Sequence, residues 1–265
     1  MSSSLPLPPD AAAAPASASP HGAAPVLVWD LPTRLFHWLL AVAFLGAYLV
    51  SESERWIGLH ALFGYTAAGL VAFRLLWGVV GTRYARFTGF AWSPRAVVAY
   101  LKSLLAFRPQ HYVGHNPAGS WAIAGLLLLI ALTAATGWAR LNEVGPEWIE
   151  DVHEVAANAT LALVALHVAA VVVSSLLHRE NLVRAMVTGY KRAAGAAPAA
   201  GKRWGVGLAL LLAVAAFWTG WIPAPGLVRG TGLDAIPLAA PAAEGTRDDG
   251  RRRGAARDAR RDDDD

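Results

Sequence analysis

The chain contains no cysteine. That absence excludes disulfides, thiolate-held iron–sulfur clusters and covalent c-type haem attachment, all of which need cysteine sulfur. Charge is scarce as well: Asp, Glu, Lys and Arg make up 16% of the 265 residues, against 55% hydrophobic ones. Soluble domains carry about 25% charged residues, so with a mean hydropathy of +0.38 this composition points to a polytopic membrane protein. Acidic residues are missing from the middle of the first four long apolar stretches, where a proton or cation path would want carboxylates. The net charge of +4 and pI near 9.7 do not signal nucleic acid, because the basic residues follow the loops and form no single face. No basic segment precedes the first apolar stretch, and Ser51-Glu52-Ser53-Glu54-Arg55 after it offers no small-residue cleavage site, so a retained helix is expected there and not a signal peptide.

Residues 1–25 are rich in Ala, Ser and Pro and read as a disordered tail, with too little apolar surface to order themselves. Apolar stretches of about 20 residues predict membrane helices over Pro32–Val50, Ile57–Val80, Trp121–Trp138 and Val155–Leu177. Residues 193–223 read as a linker and a fifth, C-terminal transmembrane helix, Trp204–Ile222. Residues 224–265 read as a disordered charged tail containing Arg251-Arg252-Arg253 and Asp262 to Asp265. Asp30 with Pro32 suits a helix start. Arg83, Arg86, Arg95, Lys102 and Arg108 fill the second loop without an acid, and Arg179, Arg184, Lys191, Arg192, Lys202 and Arg203 follow the fourth helix. Those loops, and the amino terminus, are therefore expected on the cytoplasmic side, with the acidic first and third loops outside. Trp56, Trp138 and Trp148 are expected as outer interfacial anchors, and Trp77, Trp121 and Trp204 as inner ones.

Four histidines, His37, His60, His153 and His167, lie within or at the edges of these stretches, and ionisable groups there are functional candidates. His153 and His167, 14 residues apart, sit on nearly one helix face with about 21 Å of rise between them. By depth they sort into an outer pair, His60 with His153, and an inner pair, His37 with His167. A b-type haem takes two opposed imidazoles at one level, which a four-helix bundle supplies, so two haems would use all four. Arg74, 14 residues after His60, lies near the inner pair, where a haem propionate would neutralise it; the alternative is that it snorkels to the interface. His115, in a Gly- and Pro-rich turn before the third helix, is placed to reach a propionate or a quinone headgroup. His111 and His178 read as ordinary interface residues. Gly64, Gly69, Gly125 and Gly137 either admit a porphyrin or serve helix packing. Two other readings stay open: a metal or proton transporter using the same histidines, and a membrane anchor for a soluble oxidoreductase with the histidines incidental.

The run Val28-Trp29-Asp30-Leu31-Pro32-Thr33-Arg34-Leu35-Phe36-His37-Trp38, then Arg74-Leu75-Leu76-Trp77-Gly78 leading to Gly81 and Arg83 to Phe87, and Gly114-His115-Asn116-Pro117-Ala118-Gly119 resemble the prokaryotic cytochrome b561 family, which includes the cytochrome b subunit of nickel-iron hydrogenases. The resemblance covers residues 26–192. It implies an all-α integral membrane fold, a four-helix transmembrane bundle binding two b haems, in the bacterial cytoplasmic membrane. It implies an electron-transfer subunit, not a stand-alone enzyme, that carries electrons between a quinone pool, ubiquinone or menaquinone, and a partner redox protein such as a c-type cytochrome, hydrogenase or dehydrogenase. By position, His37, His60, His153 and His167 match its axial haem ligands. Arg34 and Arg74 match motif positions near haem propionates, and His115 and Asn116 lie in a motif at a haem edge or quinone. The fifth helix and charged tail lie outside the resemblance.

Overall fold

The computed structural model describes residues 25–192, 196–199 and 201–224. Most of the amino-terminal tail and nearly all of the charged carboxy-terminal tail lie outside the described residues. A short strand β1 (Pro25–Leu27) leads into α1 (Leu31–Leu49), whose first turn is capped by Asp30: its carboxylate accepts from the Thr33 amide at 2.9 Å. Pro32 fits there because the first turn needs no amide donor. Next come α2 (Ile57–Val80), entered through a 3₁₀ turn at Glu54–Trp56, and α3 (Pro94–Leu105), capped by Ser93. α4 (Pro117–Leu141) is capped by Asn116, and α5 (Ile149–His178) ends where Arg179 turns left-handed at φ 51°. α6 (Leu182–Thr188) and strand β2 (Tyr190–Arg192) return the chain to β1, which pairs antiparallel with β2, Val26 opposite Lys191. α7 (Trp204–Trp218) closes the described chain.

Four helical segments, Leu31–Leu49, Glu54–Val80, Pro117–Leu141 and Ile149–His178, are long and apolar enough to cross a membrane. Along their middles they expose apolar side chains, Val42, Leu76, Leu128 and Leu166 among them, as a lipid-facing surface requires. α1 packs on α2, α2 on α4 and α4 on α5. The core joins Phe36 and Ala43 of α1, Ala67, Leu70 and Val71 of α2, and Leu127 and Ile130 of α4. Lipid gives no hydrophobic drive between helices, so close fit has to hold them. At Gly46 a Cβ would stand 2.5 Å from the Phe63 ring, which is why α1 can approach α2 there.

The helix with His153 starts at Ile149, ahead of the apolar run, so that residue lies on helix as its spacing from His167 required. The structure departs from the sequence expectation in three places. The second loop contains an amphipathic helix, α3. Trp77 is not an interfacial anchor: it is buried and donates its indole N–H to Asp30 at 3.1 Å. α7 stops at Trp218, short of Ile222, and Gly220 takes φ +76° just after it. Its 15 residues rise about 22 Å, less than the hydrocarbon core of about 30 Å. α7 nevertheless belongs to the bundle: Leu210 enters the core, Gly207 abuts Leu31 and Leu35, and the Trp218 indole donates to Thr66 Oγ1 at 2.9 Å.

Candidate functional site

α5 carries His153 and His167, and each meets a histidine from another helix. The His60 ring, on α2, stands 6.1 Å from that of His153, centroid to centroid, with an interplanar angle of 69°. His37, on α1, stands 6.5 Å from His167 at 53°. Local structure fixes the outer pair. His60 Nδ1 is 2.9 Å from the Ala47 carbonyl, and His153 Nδ1 is 2.9 Å from the Thr133 carbonyl and 3.2 Å from Thr136 Oγ1. A carbonyl can only accept, so each Nδ1 carries a proton, which leaves Nε2 as the ring nitrogen available to ligate a metal. Gly137 makes room: a Cβ there would stand 2.8 Å from His153 Cε1. Gly64, one turn along α2 from His60, has nothing within 4 Å of its Cβ position, whereas Gly125 is close to Leu163, which makes it a packing glycine.

The inner pair lies among buried polar atoms that have no partner. Thr33 Oγ1, Arg34 Nε, His37 Nδ1 and Arg74 Nη1 are the buried side-chain atoms without a hydrogen bond among the described residues. A buried, unmet donor costs about 1–3 kcal/mol, more when charged, so their concentration around one histidine pair marks a place built for an anionic or accepting group. Arg74 is 2% exposed and its guanidinium lies 4.7 Å over the Phe87 ring; it does not snorkel to the interface. Arg34 donates to the Val187 carbonyl beside Gly189, tying α1 to α6.

Asp30 is a site residue that sequence reasoning gave only a capping role. It is fully buried and accepts from the Thr33 amide, the Trp77 indole and Thr82 Oγ1, the last at 2.7 Å. It thereby pins the start of α1 to the end of α2, where Arg74 is buried. An Asp–Trp separation of 47 residues gives no sequence signal. His115 lies between Trp29 and Phe90, at 4.6 and 4.7 Å. Burial pushes its pKa down to about 3, and the positive charge of Arg74 and Lys191 and the nearby His167 add to this, so the ring is neutral. Asn116 caps α4 by accepting from the Gly119 amide at 2.7 Å and donates to Tyr100 Oη at 3.1 Å; its side chain fixes the turn that presents His115. His111 and His178 meet each other, 4.9 Å apart.

The family model for prokaryotic cytochrome b561 matches residues 28–189. The chain belongs to the prokaryotic cytochrome b561 family. The stretch matched runs from the residue before Trp29 to Gly189 and takes in both histidine pairs, Arg34, Arg74 and the His115 turn. Among its curated relatives is a protein of Bradyrhizobium diazoefficiens named "Probable Ni/Fe-hydrogenase B-type cytochrome subunit", 26% identical over 69% of this chain and 94% of that one. A protein of the same name from Cupriavidus necator is 26% identical over 62% of this chain and 86% of its own length. The "Probable Ni/Fe-hydrogenase 1 B-type cytochrome subunit" of Escherichia coli K12 is 29% identical over 44% and 60% respectively. No solved structure matches the chain. This b561-family cytochrome is thus a helical membrane protein of a class whose cofactor is haem b. Its residues fit that group on two observations: two pairs of facing imidazoles, and buried arginine nitrogens left without an acceptor.

Proposed function

We propose that the protein binds two b haems, one between His60 and His153 and one between His37 and His167, and carries electrons across the bacterial cytoplasmic membrane between a quinone pool and a partner redox protein. The observation that carries this is the spacing of the rings. The paired rings stand 6.1 and 6.5 Å apart, centroid to centroid, a gap that would admit one metal ion with ligand bonds of about 2 Å from each imidazole. Held by His60 with His153 and by His37 with His167, haem b would supply one-electron iron chemistry. The protein residues do the rest. The Ala47 and Thr133 carbonyls orient the outer imidazoles and raise their basicity. Arg74 and Arg34 hold propionates of the inner haem and balance their charge. Neutral His115, set by Asn116, lines the edge of that haem or a quinone headgroup.

The relatives' names support a nickel-iron hydrogenase as the partner, with a dehydrogenase or a c-type cytochrome as the other candidates; the quinone is ubiquinone or menaquinone. The amino terminus, the basic second loop and the α6 segment lie on the cytoplasmic side, and Trp204–Ile222, which contains α7, crosses the membrane as a fifth span. The test is haem quantification by pyridine haemochrome, with reduced-minus-oxidised spectra, on the native chain and on His60→Ala and His167→Ala. The expected result is two b haems natively and one in each variant. Folded native protein purified with ample haem supply and carrying none would overturn the reading.

A further inference from the structure

Residues 81–116, between α2 and α4, contain five arginines and lysines and no acid, and α3 lies within them. One apolar stripe of α3, Val97, Tyr100 and Leu104, docks on the bundle. Tyr100 is 2% exposed, accepts from Asn116 Nδ2 at 3.1 Å and bonds Ser174 of α5. A second stripe, Val98, Leu101 and Leu105, is turned from the first by roughly a quarter of the helix circumference and is exposed at 50%, 46% and 79%. Trp92 before the helix and Phe107 after it are exposed as well. Arg95 and Lys102, seven residues apart and so on one side, flank the second stripe away from the docked one. Neither they nor Arg108 form an ion pair among the described residues.

α3 connects two helices that are each long enough to cross a membrane, so it sits at the level where those helices leave the hydrocarbon. The end of α2 from which this loop departs also exposes apolar side chains, Leu76, Val79 and Val80. An apolar face with cations along its edge is what an interfacial helix presents to anionic lipid. We propose that α3 lies in the membrane plane and is an anionic-phospholipid site: Val98, Leu101 and Leu105 enter the acyl region, while Arg95, Lys102 and Arg108 hold headgroup phosphates. This rests on the membrane fold alone and is independent of the haem reading.

The cysteine-free sequence permits a direct test in the full chain. Single variants Val98→Cys, Leu101→Cys, Leu105→Cys and Ala99→Cys, all at exposed positions, carry a nitroxide label in vesicles of phosphatidylcholine with and without phosphatidylglycerol. The expected result is access to oxygen and exclusion of a water-soluble nickel chelate at 98, 101 and 105, with the reverse at 99. Chelate access at 101 overturns the proposal, as does protection from both reagents, which would mean that a second copy or a protein partner covers the stripe. In parallel, the combined Arg95→Gln, Lys102→Gln, Arg108→Gln variant is titrated with phosphatidylglycerol. The expected loss of affinity is about fivefold per cation and on the order of a hundredfold for all three. Unchanged affinity in a variant with native helicity and elution also overturns it.

Discussion

Asp30→Ala removes three interactions at one point. The α1 amino terminus loses its cap, worth about 1 kcal/mol. The Trp77 indole and the Thr82 hydroxyl, both buried and both donating to the same carboxylate oxygen at 3.1 and 2.7 Å, lose their acceptor, at about 1–3 kcal/mol for each donor left unmet. The Thr82 hydroxyl can rotate to another acceptor and the indole cannot, so the loss should total about 3–5 kcal/mol. That is a large fraction of a typical stability of 5–15 kcal/mol. Asp30→Asn keeps one acceptor oxygen and should fall between native and Ala. Equilibrium unfolding in mixed micelles, followed by far-ultraviolet circular dichroism, measures both. Because Thr33, Arg34 and His37 follow within two turns, the Ala variant should also hold its inner haem less tightly than its outer one. A loss below about 0.5 kcal/mol in the Ala variant, the level of an ordinary surface substitution, would refute the view that Asp30 pins α1 to α2. An Asn variant as damaged as Ala would show that the three bonds do not act separately.

Gly137→Ala should push His153 off its Thr133 contact, since the added carbon would stand 2.8 Å from Cε1, at about 1–3 kcal/mol of overpacking. In a potentiometric titration the midpoint of one haem should move and the other stay; two unmoved midpoints would count against the site. His115 gives a pH dependence of defined sign. Burial holds its pKa near 3 in the folded protein against 6.5 unfolded, so the unfolded state binds the extra proton first, and stability that is complete above pH 6.5 declines as the pH falls toward 3. His115→Gln should flatten this acid limb in melting curves taken below pH 6.5, and an equal slope in both proteins would contradict the buried, neutral ring.

What could be read early depended on whether the information was local. The four spans were legible because an apolar run of the right length has few other destinations. The cap of α1 was legible because Asp30 and Pro32 meet local rules, whereas Asn116-Pro117 was not read as a helix start and α4 begins ahead of the expected Trp121. α3 was not read as a helix, because two apolar stripes a quarter-turn apart blur the single stripe that marks an amphipathic helix, and its basic residues already fitted a loop. Trp77 was misplaced because position near a span end says nothing of which way an indole points. α7 ended early because Thr219 and Gly220 favour termination although the apolar run continues to Ile222.

By itself the sequence determined that the chain is built for a membrane, that thiolate chemistry is excluded, and that His153 and His167 lie at two levels of one helix; these follow from composition and from the rise of a helix per residue. Depth along the helices also sorted the histidines into His60 with His153 and His37 with His167, but only the tertiary structure set the ring spacings of 6.1 and 6.5 Å, sealed Arg74 beneath Phe87 and Phe90 and joined α1 to α2 through Asp30. Those facts depend on contacts between residues far apart in the chain, His37 with His167 and His60 with His153, and such contacts are set by how whole helices pack against each other.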